Sequence, residues 1–166
     1  MRGALRVILP RHSLRNLRYA CLLGEINMEP RTKQVEIIVF KIVNKEILFL
    51  LLKRTMERGG FWQPITGGVH KDEPLLVAAE RELKEETTVS NYIKVYSDVY
   101  YFEFQSEGYS ILKEYVFGVQ IAPETIIQIS SEHTDMQWCN FAEALKLLKY
   151  KSNKTALEKL YSLIKI

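Results

Sequence analysis

The chain has 166 residues, of which 47% are hydrophobic and 26% charged. These are the size and composition of one soluble domain with its own core, and they exclude disorder over most of the chain. The longest apolar run, Ile47 to Leu52, is far too short to span a membrane. Two cysteines, Cys21 and Cys139, are too few for a disulfide framework or a zinc site, so the chain reads as reduced and intracellular. The net charge of +3 is unevenly spread. Residues 1–24 carry five arginines (Arg2, Arg6, Arg11, Arg15, Arg18) and no acid, leaving 18 basic and 20 acidic side chains to residues 25–166. A slightly acidic body has no basic stripe for nucleic acid.

Residues 1–27 are read as a basic N-terminal extension, with Met28 the natural start, and residues 28–166 as the folded domain. The expected location is the cytoplasm, or an organelle if the Arg-rich leader is a transit peptide. In chain order, Gln34–Val43 and Glu46–Arg54 are aliphatic and β-branched runs either side of Asn44–Lys45, a hairpin pattern. Thr55–Gly60 reads as a loop and Trp62–Val69 as a short extended segment. Pro74–Thr87 reads as a helix, with Asp72 or Glu73 at its start and the proline in its first turn. Tyr92–Gln105 and Ile111–Ile121 form a second hairpin pattern around Ser106–Ser110. Asp135–Asn140 reads as a strand. A helix starting at Asn140 follows, with Glu143 completing a capping box. A last helix over Asn153–Ile164 presents Ala156, Leu157, Leu160, Leu163 and Ile164 on one face. Strands, one central helix, more strands and closing helices indicate an α+β sandwich with helices on a mixed sheet.

The central helix carries the chemistry. Glu82, Glu85 and Glu86 fall within an arc of about 100° on it, beside an apolar stripe of Leu76, Ala79 and Leu83. Like charges three and four residues apart repel one another, and packing the stripe puts them at the edge of the core. A hard divalent cation such as Mg²⁺ or Mn²⁺ relieves that repulsion. Arg81 is placed to brace a carboxylate, whereas Glu80 and Lys84 read as a solvated face. Ahead of the helix stands Gly67-Gly68-Val69-His70-Lys71-Asp72-Glu73, and Arg81-Glu82-Leu83-Lys84-Glu85-Glu86-Thr87-Thr88-Val89 follows seven residues later. This resembles the Nudix box: G, five residues, E, seven residues, then R-E-U-x-E-E-x-G-U with U aliphatic. Every defining position matches but one, where Thr88 replaces the second glycine at the turn leaving the helix. Phe61-Trp62-Gln63-Pro64-Ile65-Thr66-Gly67, Thr88, Glu132-His133 with Trp138, and Lys151-Ser152-Asn153-Lys154 extend the resemblance. They resemble the dATP and dihydroneopterin triphosphate pyrophosphohydrolase branch over about residues 34–164.

The resemblance implies an α/β/α sandwich with a catalytic loop and helix. It also implies metal-dependent hydrolysis of a pyrophosphate bond in a nucleoside or pterin triphosphate, giving monophosphate and pyrophosphate. Glu82, Glu85 and Glu86, with a backbone carbonyl of the Gly67 region, are then the metal ligands for Mg²⁺, with Mn²⁺ as the substitute. Glu85, Glu132 and Arg81 carry the catalytic roles, Glu132 as a base or further ligand from a polar loop. Glu73 supports Arg81. Trp62, Arg54 and Lys53 are candidates for substrate contact, Trp62 by stacking and the cations, with Arg58, by meeting phosphates. His133 reads as a hydrogen-bonding loop residue, His70 as plain loop, and Trp138 and Cys139 as core. The implied partner is a small nucleoside polyphosphate, met by a monomer or a homodimer, with no nucleic acid or membrane. A dinucleoside tetraphosphate hydrolase and a non-catalytic nucleotide sensor are the competing readings. The intact glutamate set weighs against the sensor.

Overall fold

The computed structural model describes residues 32–105 and 111–165. The leader expected over residues 1–27, with Cys21, and the turn expected at Ser106–Ser110 lie outside them. The first hairpin pairs β1 (Lys33–Val43) with β2 (Glu46–Arg54). Its two turn residues, Asn44 and Lys45, both have positive φ, 49° and 66°, the backbone that matches the twist of tightly linked strands.

Beyond the turn the two strands part. β1 pairs with β2 only from Phe40 to Val43, and its first half pairs instead with β4 (Ile65–Gly68). β2 goes on to pair with β3 (Trp62–Gln63). The expected single extended segment is thus two short strands that step from β2 to β1 across Pro64. Proline has no N–H to give to a ladder, which is why the break falls there. β5 (Lys94–Phe104) and β6 (Leu112–Gln120) form the second hairpin, and β6 lies parallel to β1. β7 (His133–Cys139) pairs with β2 and starts two residues earlier than expected. The result is a mixed seven-stranded sheet.

Alternation along β1 assigns the two faces. Val35, Ile37 and Val39 meet Ala78, Ala79 and Leu83 of α1 (Leu75–Thr87) in one core. Ile38 and Phe40 meet Ala144 of α2 (Phe141–Leu147) and Ala156, Leu157 and Leu160 of α3 (Lys151–Leu163) in the other. The α/β/α sandwich is as expected. Gly118 on β6 lies so close to Leu160 that a Cβ there would overlap its methyl groups, so α3 sits directly on the sheet backbone.

Several local expectations shift. Pro74 is the residue before the first turn of α1, with extended backbone, and no side chain caps the helix. Leu76 is exposed, and Ala78 takes its place in the stripe. Leu163 is also exposed, while Ile164 is buried. α3 begins at Lys151, which draws Asn153 into its buried first turn. The capping box of α2 is formed as expected: Glu143 N–H donates to Asn140 Oδ1, and Asn140 N–H to Glu143 Oε2, both at 3.0 Å. Cys139 is fully buried, and Trp138 packs partly buried against the first core with Lys41 Nζ 4.3 Å from its ring centre. Among the described residues no helix is long and apolar enough to cross a membrane.

Candidate active site

The site begins where β4 hands over to α1. A Cβ on Gly67 would fall inside the Glu82 carboxylate, so only glycine lets the helix acid lie against the strand. Glu82 and Glu86 are buried, and the Glu85 side chain is one-third exposed. One helix face therefore holds three acids at the boundary of the core, as the spacing implies.

Arg81 organises the near end. Its Nε and Nη2 donate to the two oxygens of Glu73 at 2.8 and 2.9 Å. Nη2 also donates to the Gly68 carbonyl at 2.9 Å, and Nη1 to Glu82 Oε1 at 2.5 Å. Glu85 Oε2 lies 3.8 Å from the same Nη1. The fork thus ties loop, helix start and two helix acids together. Arg81 hydrogen bonds hold the Glu73 carboxyl down at about 2, against the push of burial. Glu73 also accepts the His70 N–H at 2.9 Å, and half-exposed His70 lies beside it.

Glu86 is held from the far side of the molecule. Ser130 Oγ donates to its Oε2, and Ser130 N–H to its backbone carbonyl at 3.1 Å. His133 Nε2 lies 3.2 Å from the same Oε2, while the buried Nδ1 has no hydrogen-bond partner among the described residues. Burial pushes the Glu86 carboxyl up, and His133, Ser130 and Arg58 together outweigh it, so the net shift is downward. For Glu82 burial wins over Arg81, helped by the charges of Glu85 and Glu86, and the net shift is upward.

Glu132 stands beside this group, paired with Arg58 from the short 3₁₀ turn Met56–Arg58. Arg54 follows an irregularity in the β2–β7 ladder between Lys53 and Arg54, a common device for re-aiming a side chain. Its guanidinium is 5.7 Å from the Phe61 ring centre. Burial, and then the charge of Arg58, lower its affinity for its proton, while Glu132 and Glu86 partly offset this.

The other two substrate-contact candidates are elsewhere. Trp62 packs against the second core and Lys53 Nζ lies 5.8 Å from its ring centre. They face each other across β2 and β3, on the sheet face away from α1. Sequence reasoning gave Ser130 no role and His133 only a generic one. A polar loop has no periodicity to mark the residue that reaches the helix, and the separation of 44 positions between Ser130 and Glu86 hides the contact.

Among the described residues no three His, Cys, Asp or Glu side chains close into a finished metal cage. The donor set nonetheless suits a hard divalent ion. Mg²⁺ is commonly held by one or two carboxylates, with water and substrate phosphate completing its shell. Glu82, Glu85 and Glu86 are mutually repelling oxygen donors, and the Gly67 cradle leaves room for the Glu82 carboxylate.

Comparisons with known proteins bear on the family and the fold. The chain is 26% identical over 150 residues to a dihydroneopterin triphosphate diphosphatase from Haemophilus influenzae, covering 83% of this chain and 93% of that one. It is 28% identical over 137 residues to an octanoyltransferase from Myxococcus xanthus, covering 81% of this chain but 38% of that protein. The chain spans half or less of the length of several curated relatives it matches. The crystal structure of an Ap4A hydrolase binary complex from C. elegans shares the fold, with a TM-score of 0.72 at 23% identity over 80% of this chain and 96% of that one. A family model described as the NUDIX domain matches residues 32–160. With the box, the sandwich and the acid-bearing helix in place, the chain belongs to the NUDIX family of hydrolases.

Proposed function

We propose that this hydrolase cleaves the pyrophosphate linkage of a nucleoside or pterin triphosphate, with Mg²⁺ bound at Glu82, Glu85 and Glu86, and releases monophosphate and pyrophosphate. The observation that carries the reading is the intact acid face of α1, braced by Arg81 and Glu73 and seated on Gly67. A bound divalent ion supplies charge neutralisation to phosphate oxygens that otherwise repel a nucleophile. The chain supplies the rest. Arg81 fixes Glu73 and Glu82, Ser130 and His133 fix Glu86, and the helix acids are thereby pre-oriented toward one side. Glu132 takes the proton of the attacking water as its oxygen bonds to phosphorus. The bridging P–O bond breaks, and its electrons leave with the departing phosphate.

Incubation with Mg²⁺ and a panel of (d)NTPs, dihydroneopterin triphosphate and diadenosine tetraphosphate tests the proposal by product identity. Monophosphate plus pyrophosphate is the expected result. ATP plus AMP from the dinucleotide assigns the protein to tetraphosphate hydrolysis. Tight binding without turnover, in Mg²⁺ or Mn²⁺, assigns it to nucleotide sensing.

A further inference from the structure

Glu132 is placed to accept a proton, yet Arg58 holds its Oε2. Both side chains are about one-third exposed, 33% and 32%, so a ligand can reach the pair. The contact joins two segments 74 residues apart, the turn after β2 and the loop before β7. Arg58 also lies close enough to Glu86 and Arg54 to act on the charge of each. Two guanidinium groups therefore crowd the edge of the acid face. A guanidinium fork fits phosphate as well as carboxylate, and a phosphate group carries more charge for two arginines to share than one carboxylate does.

We infer that Arg58 exchanges partners: it holds Glu132 in the free protein, and on binding it turns to a phosphate of the substrate, releasing the Glu132 oxygen to the attacking water. This rests on the hydrolase reading above and adds a substrate-dependent step to it. The base is engaged by Arg58 and is freed by the group it is to act upon. Arg58 is then a substrate-binding residue, and Glu132 competes with the substrate for it.

Competition has a signature in binding that a static surface pair lacks. The probe is an ATP analogue with both bridging oxygens replaced by methylene, titrated by calorimetry in Mg²⁺ buffer. Glu132→Gln removes the competitor, so the analogue should bind roughly twofold to fivefold tighter, the range a partly exposed ion pair can contribute, while turnover of ATP is lost. Arg58→Gln should weaken binding. In the Arg58→Gln background Glu132→Gln should give at most the small gain expected from deleting one negative charge near a polyanion. Glu132→Ala and Arg58→Ala repeat the cycle should either variant fail to fold. An equal gain in both backgrounds, or no gain from Glu132→Gln, overturns the exchange. If the wild-type protein neither binds the analogue nor hydrolyses any triphosphate, the hydrolase reading itself falls, and the exchange with it.

Discussion

Two groups of buried or half-buried carboxylates sit on opposite faces of one sheet, and the chain treats them differently. On the α1 face, Glu73, Glu82 and Glu86 are met by Arg81, Ser130 and His133, and Arg58 acts on Glu86. On the other face, Glu36 of β1 and Glu114 of β6 are buried, and among the described residues no cation pairs with either. Asn153 donates to Glu36 Oε2 at 2.7 Å, and one oxygen of each acid has no partner among the described residues. Burial raises Glu36 to about 7, against the hydrogen bond from Asn153. Burial, with the charge of Glu36, raises Glu114 to about 8. Glu73, by contrast, lies near 2. Burial alone does not make an acid functional. The partners set how far burial raises an acid: Arg81 only partly offsets it at Glu82, while Ser130, His133 and Arg58 outweigh it at Glu86.

The sharpest way to break this comparison is to neutralise one acid on each face. Glu86→Gln should lower turnover by about a thousandfold or more while the thermal melt stays cooperative, because it deletes a donor of the kind a metal-assisted reaction depends on. Glu114→Gln should leave turnover near wild type. Near-normal activity in Glu86→Gln, measured by pyrophosphate release, overturns the proposed metal site.

Next in size is Arg81→Ala. Removing the fork leaves Glu73 and Glu82 without their shared cation in a mostly buried setting. The expected loss is about 3 kcal/mol of stability, read from urea denaturation, along with most of the activity.

Glu73 on the first face and the Glu36–Glu114 pair on the second should respond to pH with opposite sign, whereas Glu82 is raised by burial as the pair is. Glu36 and Glu114 have folded pKa values above the ordinary 4.5, so the folded chain holds protons that the unfolded chain has released. Their contribution is complete below about pH 4.5 and is lost as pH rises through about 7 and 8. The denaturation midpoint should fall between pH 6 and 9, by on the order of 3 kcal/mol of stability, and Glu36→Gln with Glu114→Gln should flatten that slope. Glu73, depressed by Arg81, contributes above the unfolded value and loses its contribution as pH falls toward 2. A midpoint that is level from pH 6 to 9 in the wild type contradicts the reading of the second face.

The smallest effect tests the departure from the box. Thr88 leaves α1 with φ 62° and ψ 1°, its N–H bonded to the Lys84 carbonyl. A β-branched residue is strained in this left-handed region. Thr88→Gly should stabilise the fold by about 0.5–1 kcal/mol, with a higher melting temperature and unchanged turnover.

How far the sequence could be read follows the range of each interaction. The helix acids were legible because residues three and four apart on a helix share a face whatever surrounds them. The capping box of α2, the turn at Asn44–Lys45 and the strained exit at Thr88 are equally local. Partners joined across the fold were not legible. Ser130 reaches Glu86 across 44 positions, Arg58 reaches Glu132 across 74, and Asn153 reaches Glu36 across 117. No spacing rule connects such residues, because strand order and the docking of helices bring them together. Trp62 and Lys53 show the same limit: they lie next to the box in sequence, yet strand alternation turns them to the opposite face. By itself the sequence determined the helix, its acids and the family, all short-range patterns enforced by helical geometry. The tertiary structure alone decided which carboxylates meet a cation and which meet only a neutral amide or another acid, because charge state depends on whatever the fold brings within a few ångströms.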